Sequence, residues 1–189
     1  MSELDLRWLT GPPGEAERAA VHGLVATVAA LGGAVGWLHV PDRGEVDAWL
    51  DGLAPGTRTI TAYDDRGALV GLGTWARLSA PVLRHDAEIR KVMAHPDSRG
   101  RGVGPAITAA LVADCRAAGV EAVTLDCRGN NHAALRMYAR LGFVVTGRRP
   151  DWIAVGDERF DQVLMHLDLR DGTEPLLRHG GRREGPGAS

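Results

Sequence analysis

Lysine, cysteine and aromatic side chains are scarce in this sequence, and each shortage narrows what the chain can be. Only two of its 189 residues are cysteine, Cys115 and Cys127. Two thiols make neither a disulfide framework nor a metal-ligand set, and they suit a reducing cytosol. Lys91 is the only lysine among 22 basic residues, so almost every cation is a planar arginine fork, a shape that matches phosphate. Against 24 acids the net charge is −2, which excludes coating nucleic acid or an anionic membrane by bulk charge. The seven histidines lack metal-ligand spacing, and His95, before Pro96, reads as a loop residue. Ala19 to Pro41 holds no charge at all, long enough to suggest a membrane span. It is interrupted by His22, Thr27, His39 and the Gly32-Gly33 pair, which should end any helix inside it. Glu3 and Asp5 precede the first apolar run, unlike the basic start of a secretory signal. The expectation is a cytoplasmic protein with no membrane and no nucleic-acid partner.

What is present is enough apolar material, 44% of residues, for one ordinary core. Residues 1–170 read as one domain, and the Gly-, Arg- and Pro-rich stretch 171–189 as a fraying tail. Leu4 to Leu9 is a strand candidate closed by Gly11-Pro12-Pro13-Gly14. Helices are predicted over Glu15 to Leu31, striped by Val21, Leu24, Val25, Val28 and Leu31, and over Gly44 to Leu53. Strand-like runs follow at Thr57 to Tyr63, Leu69 to Leu78 and Asp86 to Ala94, the first two joined by Asp64-Asp65-Arg66-Gly67. The remainder alternates: a helix from Val103 to Ala118, a strand from Ala122 to Cys127, a helix from Ala133 to Leu141, then strands Phe143 to Thr146 and Gln162 to Leu169.

Between the third of those strand-like runs and the following helix stands Arg99-Gly100-Arg101-Gly102-Val103-Gly104. Glycines let the amides of such a turn converge, and the helix N-terminus adds partial positive charge, so the turn suits a phosphate or pyrophosphate. It is not a P-loop, because no Gly-Lys-Ser/Thr follows. Nor is it the dinucleotide fingerprint, because Pro105 stands where a glycine is needed.

One strand later comes Asn131-x-x-Ala134-x-x-Met137-Tyr138-x-x-Leu141-Gly142-Phe143. Together with Arg99-x-x-Gly102-x-Gly104, this resembles the two motifs of the GNAT superfamily of acetyl-CoA-dependent N-acetyltransferases. Gly32-Gly33-Ala34-Val35-Gly36-Trp37, Ala87-Glu88-Ile89-Arg90-Lys91-Val92 and Leu125-Asp126-Cys127-Arg128 are similar to the tabtoxin-resistance and phosphinothricin acetyltransferase branch. Cys127 departs from the threonine expected there.

The resemblance implies an α/β (α+β) fold: a mixed, mostly antiparallel sheet of about seven strands, split in a V and flanked by about four helices. It implies acetyl-CoA as cosubstrate, no metal, a small-molecule primary amine as acceptor and a homodimer. Amides of Gly100, Arg101, Gly102, Val103 and Gly104 would hold the pyrophosphate, with Arg99 and Arg101 adding charge. Lys91, Val92 and Met93 would bond the pantetheine arm, the amide of Val92 or Met93 facing the thioester. Asn131 would bond the cofactor or cap its helix.

An aliphatic ammonium, with a solution pKa near 10.4, cannot attack until it loses a proton. Glu88 or Asp126 can draw and accept it, Glu88 being the preferred base with Asp126 positioning the amine. Their ordinary readings are an exposed strand position for Glu88 and an ion pair with Arg128 for Asp126. Tyr138 would protonate the departing thiolate. An acetyl-cysteine intermediate at Cys127 lacks a histidine partner nearby in sequence. Trp37, His39, Trp75 and Trp152 are candidates for the acceptor pocket, with core packing as their ordinary alternative. Two other functions fit the same motifs: acetylation of a protein N-terminus or lysine, and a non-catalytic acyl-CoA sensor.

Overall fold

The structure, a computed structural model, describes residues 4–32 and 36–170. The middle of the Gly32 to Trp37 motif and the 171–189 tail therefore lie outside the described residues. In chain order the elements are β1 (Asp5–Trp8), α1 (Glu15–Ala30), α2 (Arg43–Asp51), β2 (Arg58–Tyr63), β3 (Leu69–Arg77), β4 (Asp86–Ala94), α3 (Val103–Ala117), β5 (Ala122–Arg128), α4 (His132–Arg140), β6 (Val144–Val155) and β7 (Glu158–Asp168). Seven strands and four helices are the numbers expected. No helix of the described residues is long and apolar enough to cross a membrane.

The strands form one sheet in the order β1-β2-β3-β4-β5-β7-β6, and every neighbouring pair except β4–β5 is antiparallel. The β4–β5 pair is short. It joins only Asp86, Ala87 and Glu88 to Ala122, Val123 and Thr124. Beyond Glu88 and Thr124 the strands part, so the facing edges of both carry backbone groups with no strand beside them. This is the V-shaped split.

Each face of the sheet has its own core. On one side Val21, Leu24 and Val25 of α1 and Val46 and Leu50 of α2 pack with Leu72 and Met93. On the other, Val103, Ile107, Leu111 and Cys115 of α3 pack with Ile60, Ile89, Val123 and Leu125. α3 lies close because β3 offers Gly71 and Gly73. A Cβ on Gly71 would fall 2.5 Å from Val103 Cγ1 and 2.6 Å from Ile107 Cδ1. The α2 N-terminus carries a full capping box between Asp42 and Glu45.

Several expectations need correction. Leu31 is 61% exposed, because α1 ends at Ala30 and Leu31 turns off the stripe as its C-cap. Trp75 faces the core rather than a pocket: it is 3% exposed, and its Nε1 donates to Asp114 of α3 at 2.7 Å. The predicted strand Phe143 to Thr146 is the start of a much longer β6, which forms a hairpin with β7.

Candidate active site

β4 is not a regular strand where the split opens. Its register against β3 shifts between Leu72 and Thr74, leaving Lys91 and Val92 bulged, and Lys91 takes φ +54°. A lysine at positive φ is strained, and a bulge re-aims side chains. Here it brings Arg90 and Lys91 to the same face, since Lys91 reaches the α1–α2 side. Its Nζ stands 4.0 Å from the Trp37 ring centroid and 5.9 Å from that of Trp49, and burial lowers its pKa. Trp37 in turn meets Trp49 edge-to-face at 5.6 Å.

Past the bulge the alternation of backbone direction resumes. His95 N–H donates to Val70 O of β3 at 2.8 Å. Two residues back, Met93 turns the same way, so the Ala94 amide between them faces the split. Of the two residues considered for the thioester, Val92 lies on the cavity wall.

The split opens into a cavity of about 610 Å³. Glu88, Lys91, Val92, Asp126, Asn131, Tyr138 and Trp37 all line it, as do Arg90, Arg128, Cys127 and Trp152. Met93 does not; it is 3% exposed in the α1–α2 core. His39 does not either, and pairs with Glu45 at 3.0 Å. The Arg99 to Gly104 turn lies outside this cavity.

The two carboxylates differ. Arg90 Nη2 donates to Glu88 Oε2, closing that pair. Asp126 makes no hydrogen bond or ion pair among the described residues. The pairing with Arg128 weighed from sequence does not form. Arg128 is drawn away by Asn130 Oδ1 and Gly32 O, each at 2.8 Å.

Tyr138 is 7% exposed, its ring edge-on to Phe143 at 5.8 Å. Burial, reinforced by the nearby Cys127 and the Asp126 charge, raises its pKa and keeps its proton on Oη. Cys127 is likewise pushed up to about 11 by burial. Asn131 caps α4, its Oδ1 accepting from Ala134 N–H at 3.2 Å.

At the glycine-rich turn, Gly100 and Gly102 sit at φ +77° and +81°, which glycine adopts at least cost. Gly104 has a packing reason instead: its Cβ would lie 3.1 Å from Met137 Sδ on α4. Arg101 N–H is used by Ser98 O, and the helix bonds begin with Ala106 N–H to Gly102 O. The amides of Gly102, Val103 and Gly104 are the first-turn donors in between, which a helix cannot satisfy itself. They fit an anionic diphosphate.

Arg90 and the apolar wall residues Ile153 and Val155 were not singled out from sequence, and Arg128 was named only as a partner for Asp126. For Arg128 a signal existed, its two-residue spacing from Asp126. For Ile153 and Val155 there was none, because the second half of β6 was not recognised as strand.

Comparison with known proteins gives a consistent picture. The model of the Acetyltransferase (GNAT) family matches residues 33–143. The L-amino acid N-acyltransferase MnaT of Escherichia coli is 28% identical over 131 residues, 68% of this chain and 74% of the relative. The L-methionine sulfoximine/L-methionine sulfone acetyltransferase of Pseudomonas paraeruginosa is 29% identical over 140 residues, 70% of this chain and 78% of the relative. Among solved structures, yncA from Salmonella typhimurium, determined with its cofactor acetyl-CoA, superposes with a TM-score of 0.75 at 23% identity, covering 92% of this chain and 98% of that one.

Proposed function

The chain belongs to the GNAT acetyltransferase family, and from that premise we propose that it transfers acetyl from acetyl-CoA to the primary amine of a small, amino-acid-like molecule. The observation that carries this reading is the split itself: one cavity is lined by the bulged Val92, by Asp126, whose carboxylate makes no hydrogen bond, and by a protonated Tyr138. Two amino-acid acyltransferases among the relatives support the acceptor class.

In this reading the Gly102 to Gly104 amides hold the diphosphate, Arg99 and Arg101 add charge beside them, and the open β4 edge receives the pantetheine arm. The acceptor enters from the Trp37 side as an ammonium. Asp126 draws it in, and its first proton leaves through that carboxylate to water. Because Glu88 is already engaged by Arg90, Asp126 is the better placed of the two acids. Glu88 then shapes the site's charge.

The amine lone pair attacks the thioester carbon, and the Val92 amide stabilises the oxyanion. As the C–S bond breaks, Tyr138 donates to the thiolate and recovers a proton from the relay that took the second amine proton. The balance is one amide formed, one thiol formed and one proton released to solvent. A Cys127 acetyl intermediate is disfavoured, since a thiol held near 11 offers little thiolate at neutral pH.

The test is CoA-thiol release over a panel of amino acids, simple amines and peptides, alongside acetyl-CoA binding by calorimetry. Release with free amino acids supports the proposal. Release only with peptides points to protein acetylation, and binding without release to an acyl-CoA sensor.

A further inference from the structure

Both arms of the split carry the same short pattern, an acid followed two positions later by an arginine: Glu88 and Arg90 on β4, Asp126 and Arg128 on β5. Two residues along a strand return to the same face about 6.6–7 Å further on. All four residues line the cavity. The two pairs are nevertheless in different states. On β4 the charges close on each other. On β5 they are held apart.

Arg128 is braced three ways. Its Nε donates to Asn130 Oδ1 and its Nη2 to Gly32 O, and its guanidinium carbon stands 4.8 Å from the Phe160 ring centroid. These contacts fix the plane of the fork and leave Nη1 unused among the described residues. An arginine beside an unengaged aspartate would ordinarily turn to it. Here the chain holds a cation and an anion apart within one pocket: Arg128 pairs with no acid, and Asp126 feels the Arg90 charge but forms no ion pair with it. Such a pair is complementary to a ligand with opposite charges on neighbouring atoms.

The total charge agrees. The lining has three cations, Arg90, Lys91 and Arg128, against two acids, Glu88 and Asp126, a balance of +1. An α-amino acid whose ammonium has given up its proton carries −1. Trp37, Leu38, Trp152, Ile153 and Val155 supply an apolar wall for its side chain.

We propose that Arg128 is the specificity-determining residue of the acceptor site: it takes the α-carboxylate of a free amino acid whose amine lies at Asp126. The proposal rests on the acetyl-transfer reading above. It predicts a preference for free amino acids with apolar side chains over the same molecules with the carboxylate removed or neutralised. A pocket built to pair a charged group rejects the analogue lacking it far more strongly than one that only loses apolar contact.

The experiment compares L-leucine, L-leucinamide and isoamylamine as acceptors, by CoA-thiol release, in wild type, Arg128→Gln, Arg128→Lys and Asn130→Ala. Wild type should favour leucine over leucinamide by about 30-fold or more in kcat/KM, mainly through KM. Arg128→Gln should reduce that preference to under about threefold, with leucine losing far more kcat/KM than leucinamide. Arg128→Lys should restore part of the preference, since charge returns without the planar fork. Asn130→Ala removes a brace but not the cation, and should keep most of it.

Equal use of leucine and leucinamide by wild type overturns the proposal, as does a preference that survives Arg128→Gln. So does an Arg128→Gln variant in which both acceptors fall equally, the mark of a purely structural brace. No release from wild type with any amine instead overturns acetyl transfer itself, so the two failures are distinct.

Discussion

Burial treats Tyr138 and Cys127 alike, keeping the proton on each, and in the proposed mechanism only the tyrosine gains a use from it. A phenol that stays protonated through the neutral range is a standing donor to a thiolate. Tyr138→Phe keeps the ring against Phe143 and removes only that donor. It should lower kcat by about 10²-fold, with the acetyl-CoA KM within about twofold of wild type; unchanged steady-state turnover would remove the acid role. Asp126→Asn should cost more turnover than Glu88→Gln, because Glu88 is already held by Arg90. The reverse order in kcat restores Glu88 as base. At this scale the motifs picked out residues that the fold brings to one cavity, as at Tyr138 and Asp126. The sequence left alternatives open where a neighbour looked sufficient. Arg128 stood as the ordinary alternative partner of Asp126, and only the positions of Asn130 and Gly32 show why the pair does not form. Trp75 stayed open between pocket and core, because nothing local reveals that Asp114 lies 39 residues away to receive its N–H.

Among the elements, α3 is the one whose placement depends on missing atoms. Gly71 is not at positive φ, so alanine there strains no backbone. Its Cβ would nonetheless enter space held by Val103 and Ile107, with Met93 O at 3.1 Å. Gly71→Ala should destabilise the fold by about 1–3 kcal/mol, seen as a lower denaturant midpoint. The helices were legible because their apolar stripes repeat and their ends carry caps or glycine. β6 was not, because it is an edge strand with mostly exposed side chains, two register shifts and Asp151 at φ +52°. Without one-sided burial there is no two-residue alternation to find, and Pro150 suggests a loop while being tolerated at an edge. The β4 bulge was equally silent, since Lys91 has none of the composition that usually marks positive φ.

For the whole molecule, the core on the α3 side holds acidic protons that the unfolded chain would release at high pH. Burial pushes Cys115 up to about 12 and Cys127 up to about 11, from an ordinary 9.0, and Tyr138 also rises. Groups with raised native pKa values contribute full stability below their unfolded pKa, and that contribution fades as pH climbs through the native one. Stability should therefore be flat to about pH 9 and decline between about 9 and 12. Chemical denaturation at pH 8 and pH 10.5 checks this, with a Cys115→Ala/Cys127→Ala double variant showing a shallower decline. The overall architecture was readable from element order and two spaced motifs. The charge layout of the cavity was not, because it arises from residues distant in sequence meeting where the two arms part.

That parting has a further consequence. Past Glu88 and Thr124, β4 and β5 each present a strand edge with no strand beside it in the middle of the sheet, the kind of edge that recruits foreign strands. A pantetheine chain lying between them would act as a surrogate strand, so the coenzyme would double as a shield, and protein stripped of it should clump sooner under gentle heating than protein kept saturated.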